Sequence, residues 1–318
     1  MKKVLFVALT ALVVIILISV TADSERVLLL PDAFSADSIW NTPLPEDVPL
    51  HPRSDEMISF LASDNALQGC ITLAGAENNW GMPIYVADAD SPTYSVTSTK
   101  YPVPPEFASL RIPRRALPAD TSDAEMVIYD LDRGVVAQLS KARYDGDRDA
   151  WTVSGGSIAY LESNGLDGSL PASDERRNRG TFRGYNGAVA AVHYDDVADG
   201  VLDNVVKIGV HRSHVDAVSP MVGSDGDLVA DGVPRQGMRL RIRPELDLTT
   251  LGLAPQALII ATGLQEYGAI IGDSTGGAIV LMLEDTDRSG SGGRWDLDEF
   301  GLCAITAADL QIVDTGSG

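Results

Sequence analysis

Twelve of the chain's 17 prolines fall between residues 31 and 118, and this density rules out long helices there. Proline fixes φ, carries no amide proton and clashes with the preceding helical turn. What remains is short extended pieces, of which "IYVA" (84–87) and "YSVTS" (94–98) are the best strands. One helix fits, over "RSDEMISFLAS" (53–63), where Ser54 can cap and Met57, Phe60 and Leu61 share a face.

From residue 125 to 161 the chain alternates β-branched and aromatic runs with the turn sequences "DLDRG" and "YDGDRD", which reads as a meander of antiparallel strands. A long polar loop, "NGLDGSLPASDERRNRGTFRGYNG", follows. Strands resume in "AVAAVHYDD", "NVVKIGVH" and "GMRLRIRPEL". "APQALIIATGLQEYG" has helical spacing, with Pro255 in its first turn and Gly268 as its stop. The chain then continues through the strands "AIIGD" and "AIVLMLED", a short "WDLDEF" helix and a last strand, "LQIVD". No repeat or compositional break interrupts residues 23–318, so the expectation is a single, mainly β domain: an antiparallel β-sandwich of jelly-roll type with a few peripheral helices.

Ahead of it, residues 1–22 combine Lys2 and Lys3 with an apolar run from Val4 to Val20 and small residues up to Ala22. That pattern is an export signal, with retention as an N-terminal anchor as the other reading, and it is the only predicted membrane contact. The net charge is −21, and beyond the leader the lysines are Lys100, Lys141 and Lys207 alone. An acidic, lysine-poor surface suits a saline medium, although an ordinary acidic secreted protein has it too, and it repels nucleic acid. In an oxidising compartment Cys70 and Cys303 can pair; as two free thiols they would be buried, and their spacing is no metal or redox motif.

The densest chemistry lies in "GVHRSHVD" (209–216). His211 and His214, three apart at a strand end, point to opposite faces, which disfavours a metal site. His211 could instead act as a general base beside Arg212, whose guanidinium suits a carboxylate. The arginine-rich loop adds Arg176, Arg177, Arg179 and Arg183, with Asn178 and Tyr185, a set that suits an acidic sugar unless Asp174 and Glu175 simply neutralise it. Asn79, Trp80 and Trp295 have the character of sugar-stacking positions, against the default of buried anchors for tryptophan. "DTDRSGSGGRWD" (285–296) imitates a calcium loop through Asp285, Asp287 and Asp296, but Gly292 and the missing closing glutamate fit a hairpin tip better. No other cofactor or metal is expected.

The segments "FSADSIWNTPLP" (34–45), "WTVSGGSIAYLESNGL" (151–166), "VHYDDV" (192–197), "PRQGMRLRIRPELDLTTLGL" (234–253), "LQEYGAIIGD" (264–273) and "RWDLDEF" (294–300), in that order, resemble a family of exported bacterial proteins, some carried beside immunoglobulin-like modules. The resemblance implies export and one complete domain, and no particular activity. At "GVLDNVVKI" the chain departs from the pattern, with Asn204 in place of a His. Two functions follow from the residues. The first is a polysaccharide lyase or glycoside hydrolase on an acidic extracellular glycan, with His211 or Tyr185 moving the proton, Arg179 and Arg212 neutralising a carboxylate, and Asn178, Arg183, Asn79, Trp80, Trp295 and His214 binding substrate. The second is a non-catalytic glycan-binding or envelope module.

Overall fold

The computed structural model describes residues 30–31, 33–166 and 183–316. The export segment and Arg176, Arg177, Asn178 and Arg179 therefore lie outside the described residues. The main sheet has six strands in the order β1 (Ile71–Ala74), β14 (Ile279–Met282), β11 (Val206–Val210), β13 (Ala269–Ser274), β12 (Arg239–Ile242) and β15 (Leu310–Val313). A second sheet runs β10 (Gly155–Tyr160), β7 (Val135–Ser140), β6 (Met126–Asp130) and β2 (Ile84–Ala87). Two small sheets pair β3 (Thr93–Tyr94) with β5 (Leu110–Arg111), and β4 (Val96–Ser98) with β9 (Ala150–Val153) and β8 (Arg143–Asp145).

Alternation along these strands builds three apolar layers. Val206, Ile208 and Val210 of β11 join Ile271 and Leu281 in a core capped by α1 (Ser54–Asp64) and α3 (Pro255–Glu266). The opposite face of the main sheet meets the second sheet in a middle layer containing Ile84, Val127, Tyr129, Val136 and Ile270. The far face of the second sheet packs Tyr85, Met126, Ile128 and Leu139 against Phe107 and Trp151.

The protein is mainly β, but the expected all-antiparallel sandwich is not what forms. β1 and β14, β11 and β13, β2 and β6, and β4 and β9 are parallel pairs, beside antiparallel ones such as β6 and β7. Alternation marks a strand without marking its direction, and the long connections, such as residues 88–125 between β2 and β6, are what permit parallel return. Three local expectations also change. Ser54 does not cap α1; its hydroxyl accepts from the Ile312 amide (3.0 Å) and ties the helix to β15. "AVAAVHYDD" is not a strand but a 3-10 turn at Gly187–Val189, capped by Asn186, followed by α2 (Tyr194–Ala198) with Asp195 and Asp196 in its first turn. "WDLDEF" is not helical, whereas Asp285 caps α4 (Thr286–Ser289) just before it.

Two arginines of β12 anchor the proline-rich segment. Arg239 donates to the carbonyls of Thr42 (2.7 Å) and Tyr267 (2.7 Å), and Arg241 to those of Pro45 and Glu46, both at 3.2 Å. Backbone acceptors that prolines leave unpaired thus find donors; burial lowers Arg239 to about 10, with Arg241 adding to the effect. A disulfide joins Cys70, next to β1, to Cys303. It is compatible with an extracellular location, and no described helix is long and apolar enough to cross a membrane.

Candidate functional site

At the end of β11 the chain turns, and its side chains part company. The His211 amide donates to Asn65 Oδ1 (2.8 Å), while its ring Nδ1 lies 2.9 Å from the Asp64 carbonyl and 3.2 Å from that residue's carboxylate. This imidazole faces the end of α1. Arg212 forms a bidentate pair with Asp227, at 3.0 and 2.8 Å. His214 is buried, and its Nδ1 accepts from the Asp216 amide (3.0 Å). Each predicted group of "GVHRSHVD" is held by a separate partner.

The residue between them, Ser213, is the one that turns inward. Its hydroxyl lies 3.2 Å from that of Ser274 and accepts from Gln236 Nε2 (3.1 Å). The Gln236 amide also donates to Asp225, which pairs with Arg183 (2.7 Å). Arg183 binds Asp273 as well, and Asp273 takes Lys207 Nζ at 3.1 Å. That ammonium stands 4.7 Å from the centroid of the Tyr185 ring. Of the predicted residues, then, Tyr185 and Arg183 come together, and they do so with Lys207, Asp273, Asp225 and Gln236 rather than with His211 and Arg212.

Strand period explains the gathering. With Val206 and Ile208 committed to the helix-covered core, Lys207 must point into the middle layer. Gly272 of β13 makes room, since a Cβ there would stand 2.8 Å from Lys207 Cγ. From the second sheet, Gln138 and Ser157 are cross-strand partners, and Gln138 Oε1 and Ser157 Oγ are buried without a hydrogen bond among the described residues. Burial disfavours the charged form of Lys207, but Tyr185, Asp273 and Glu125 outweigh it and raise its pKa. Asp273 is lowered despite its burial, because Lys207 and Arg183 face it. Glu125, just before β6, is pushed up to about 7, first by burial and then by Asp273, with Lys207 opposing. An acid that titrates near neutrality beside a fixed cation can give or take a proton at physiological pH.

A separate groove of about 880 Å³ is lined by Asn78, Asn79, Asp285, Asp287, Arg294 and Trp295, among others. Trp295 is 6% exposed, donates through Nε1 to the Glu284 carbonyl (2.8 Å) and meets the Tyr194 ring edge-on at 5.1 Å, so it is a buried anchor. Trp80, by contrast, is 50% exposed. Asp285 caps α4 by accepting from the Arg288 amide (3.0 Å) and lies 3.6 Å from that guanidinium. Among the described residues no three His, Cys, Asp or Glu side chains gather as a metal would need.

Between the N-terminal segment and the sheets lies a third feature, a cavity of about 280 Å³ whose lining includes Tyr129, His193 and Asn204. His193 belongs to "VHYDDV", and the sequence signal for it is a histidine at a helix start next to acidic residues. Compared with protein families, with curated proteins and with solved structures, the chain matches none.

Proposed function

We propose that the chain is an exported carbohydrate-binding protein that holds an extracellular polysaccharide in the groove beside Asn79. One observation carries this reading: Glu77, Asn79, Asp287 and Arg294 line the groove with no hydrogen bond or ion pair to their side chains among the described residues. Sugar hydroxyls both donate and accept, so free carboxylate, amide and guanidinium groups suit them. Trp80 does not line the groove, but it is half-exposed and next in the chain to Asn79, so its aromatic face is available to the C–H side of a sugar ring in a chain that extends past the groove. The groove's volume is that of a ligand site. Its mixed charge favours a neutral glycan over a polyuronate, and Arg183, the described member of the arginine loop, is neutralised by Asp225 and Asp273. The export signal in the sequence and the disulfide support a location outside the cytoplasm.

Affinity electrophoresis through gels containing neutral or uronate polysaccharides tests this. The protein should be retarded by at least one neutral glycan, and Trp80→Ala and Asn79→Ala should each release it. Free migration in every gel, or retardation unchanged by both variants, would sink the proposal. The catalytic reading is kept by one further observation, the near-neutral Glu125 beside Lys207 and Tyr185. If it holds, new reducing ends or ultraviolet-absorbing unsaturated ends will accumulate between pH 6 and 8 and stop with Glu125→Gln.

A further inference from the structure

We infer that the cavity beside His193 is a second binding site, separate from the groove, for a single neutral sugar ring. Its floor carries Tyr129 and His193, with the phenol oxygen 3.5 Å from His193 Nε2, while His193 Nδ1 lies 3.9 Å from the Asp196 carboxylate. Burial holds this imidazole below its ordinary pKa, against the pull of Glu284 and Asp195, so it is neutral at pH 7 with one ring N–H and one lone pair. The neutral imidazole can donate to one ligand hydroxyl or accept from another, while the fully buried phenol of Tyr129 holds the ring from behind. Asn204 is the third polar side chain of the lining, and its amide makes no hydrogen bond among the described residues. An amide offers both donors and an acceptor to a ligand hydroxyl.

Charge and size narrow the ligand. The charged groups of the lining are Asp196 and Asp203, and among the described residues neither lysine nor arginine joins them, so an anionic sugar is repelled. At about 280 Å³ the cavity sits at the lower edge of ligand pockets, with room for one ring and not for an oligosaccharide. Phe34 and Tyr267 give it apolar surface for a ring's C–H face. Phe34 is also held at φ +78°, a left-handed conformation that bulky residues rarely adopt, by a hydrogen bond from its amide to the Leu161 carbonyl (2.8 Å). Asn41 reinforces the turn by donating to the Ala33 carbonyl (2.7 Å). Backbone strain of this kind concentrates where a wall must be shaped for a ligand. The cavity also stands close to the groove, because Tyr194, the neighbour of His193, packs on Trp295 of the groove wall.

Titration of the whole protein with neutral methyl pyranosides, followed by calorimetry and by the His193 ring resonances, tests the site. At least one pyranoside should bind and shift those resonances, methyl glucuronide should not, and Asn204→Ala should weaken binding about tenfold. Tyr129→Phe, which keeps the ring, should weaken it as well. The polysaccharide retention described above should survive Asn204→Ala, and pyranoside binding should survive Trp80→Ala, so failure of one site is distinguishable from failure of the other. The inference is overturned if no neutral pyranoside moves the His193 resonances, if tetramethylammonium does so in their place, or if Asn204→Ala binds as tightly as the parent protein.

Discussion

Replacing Glu125 with glutamine should raise the protein's stability only slightly at pH 5, by less than about 1 kcal/mol, and much more at pH 8. The carboxyl looks into the layer between the two sheets, where burial and Asp273 together move its pKa from 4.5 to about 7, with the attraction of Lys207 already included. In the unfolded chain it ionises near 4.5, whereas the folded protein holds the proton until about 7. The sign follows: the folded state binds more protons across that interval, so this group destabilises the fold progressively as pH rises from 4.5 to 7, and the loss is complete above 7. A difference of that size corresponds to about 3 kcal/mol. His193 works the other way, since its folded pKa lies below 6.5 and it adds stability as pH rises toward 6.5. The two slopes overlap, so neither is visible in the parent protein alone. Urea unfolding of parent and Glu125→Gln at pH 5, 6, 7 and 8 isolates the carboxyl as the gap between them. That gap should open from under about 1 kcal/mol to about 3 kcal/mol in favour of the variant and then stop growing. A gap independent of pH, or a variant less stable at pH 8, would refute the assignment of Glu125 to a buried, near-neutral site.

Lys207→Met removes a buried cation and leaves Asp273 with Arg183 alone; urea unfolding should show a loss of about 3 kcal/mol, and a change under 1 kcal/mol would mean that the middle layer does not depend on this ion pair. Arg212→Ala breaks an exposed pair, so its unfolding curve and its retention in glycan gels should both match the parent's, and lost retention would return function to the histidine loop. Cys70→Ser combined with Cys303→Ser opens a loop of 233 residues and should lower stability by about 5 kcal/mol in denaturant titrations, with a much smaller loss meaning that β1 is held by its neighbours without the bridge.

Where proline, glycine and turn residues punctuated the chain they led to the right element, whereas the apolar run of "AVAAVHYDD" and the Asp-rich "WDLDEF" did not. The proline-free window at 53–63 became α1, Pro255 and Gly268 bracketed α3, and the turn sequences of the middle region produced β6 to β10. Strand direction had no such signal. The candidate site was harder to read for a related reason. His211 and Arg212 attracted notice because their residue types are chemically versatile, yet what a side chain faces depends on partners far away in sequence: Asp64 is 147 residues from His211, and Asp273 is 66 from Lys207. Lys207 did carry a usable sign, a lysine inside the apolar alternation "NVVKIGV", where period two forces it away from the helix-covered core. Asn204 drew attention only as a departure from a motif, and nothing local could tell that its amide would line a cavity with His193.

The distribution of charge connects these findings. A chain of net charge −21 has few cations, and several of them are drawn inward: Lys207 and Arg183 onto Asp273, and Arg239 and Arg241 onto backbone carbonyls of residues 42–46 and 267. A cation placed there satisfies acceptors that would otherwise be buried unpaired, which stabilises the fold and removes that charge from the surface. The surface left behind is acidic, and in the proposed sites recognition would rest mainly on amides, hydroxyls and aromatic faces. Asn79 at the groove with Trp80 next to it in the chain, and Asn204, His193 and Tyr129 at the cavity, have that character. The same partition of charge that builds the interior therefore supports the proposal of a neutral, hydroxyl-rich ligand over a polyanionic one.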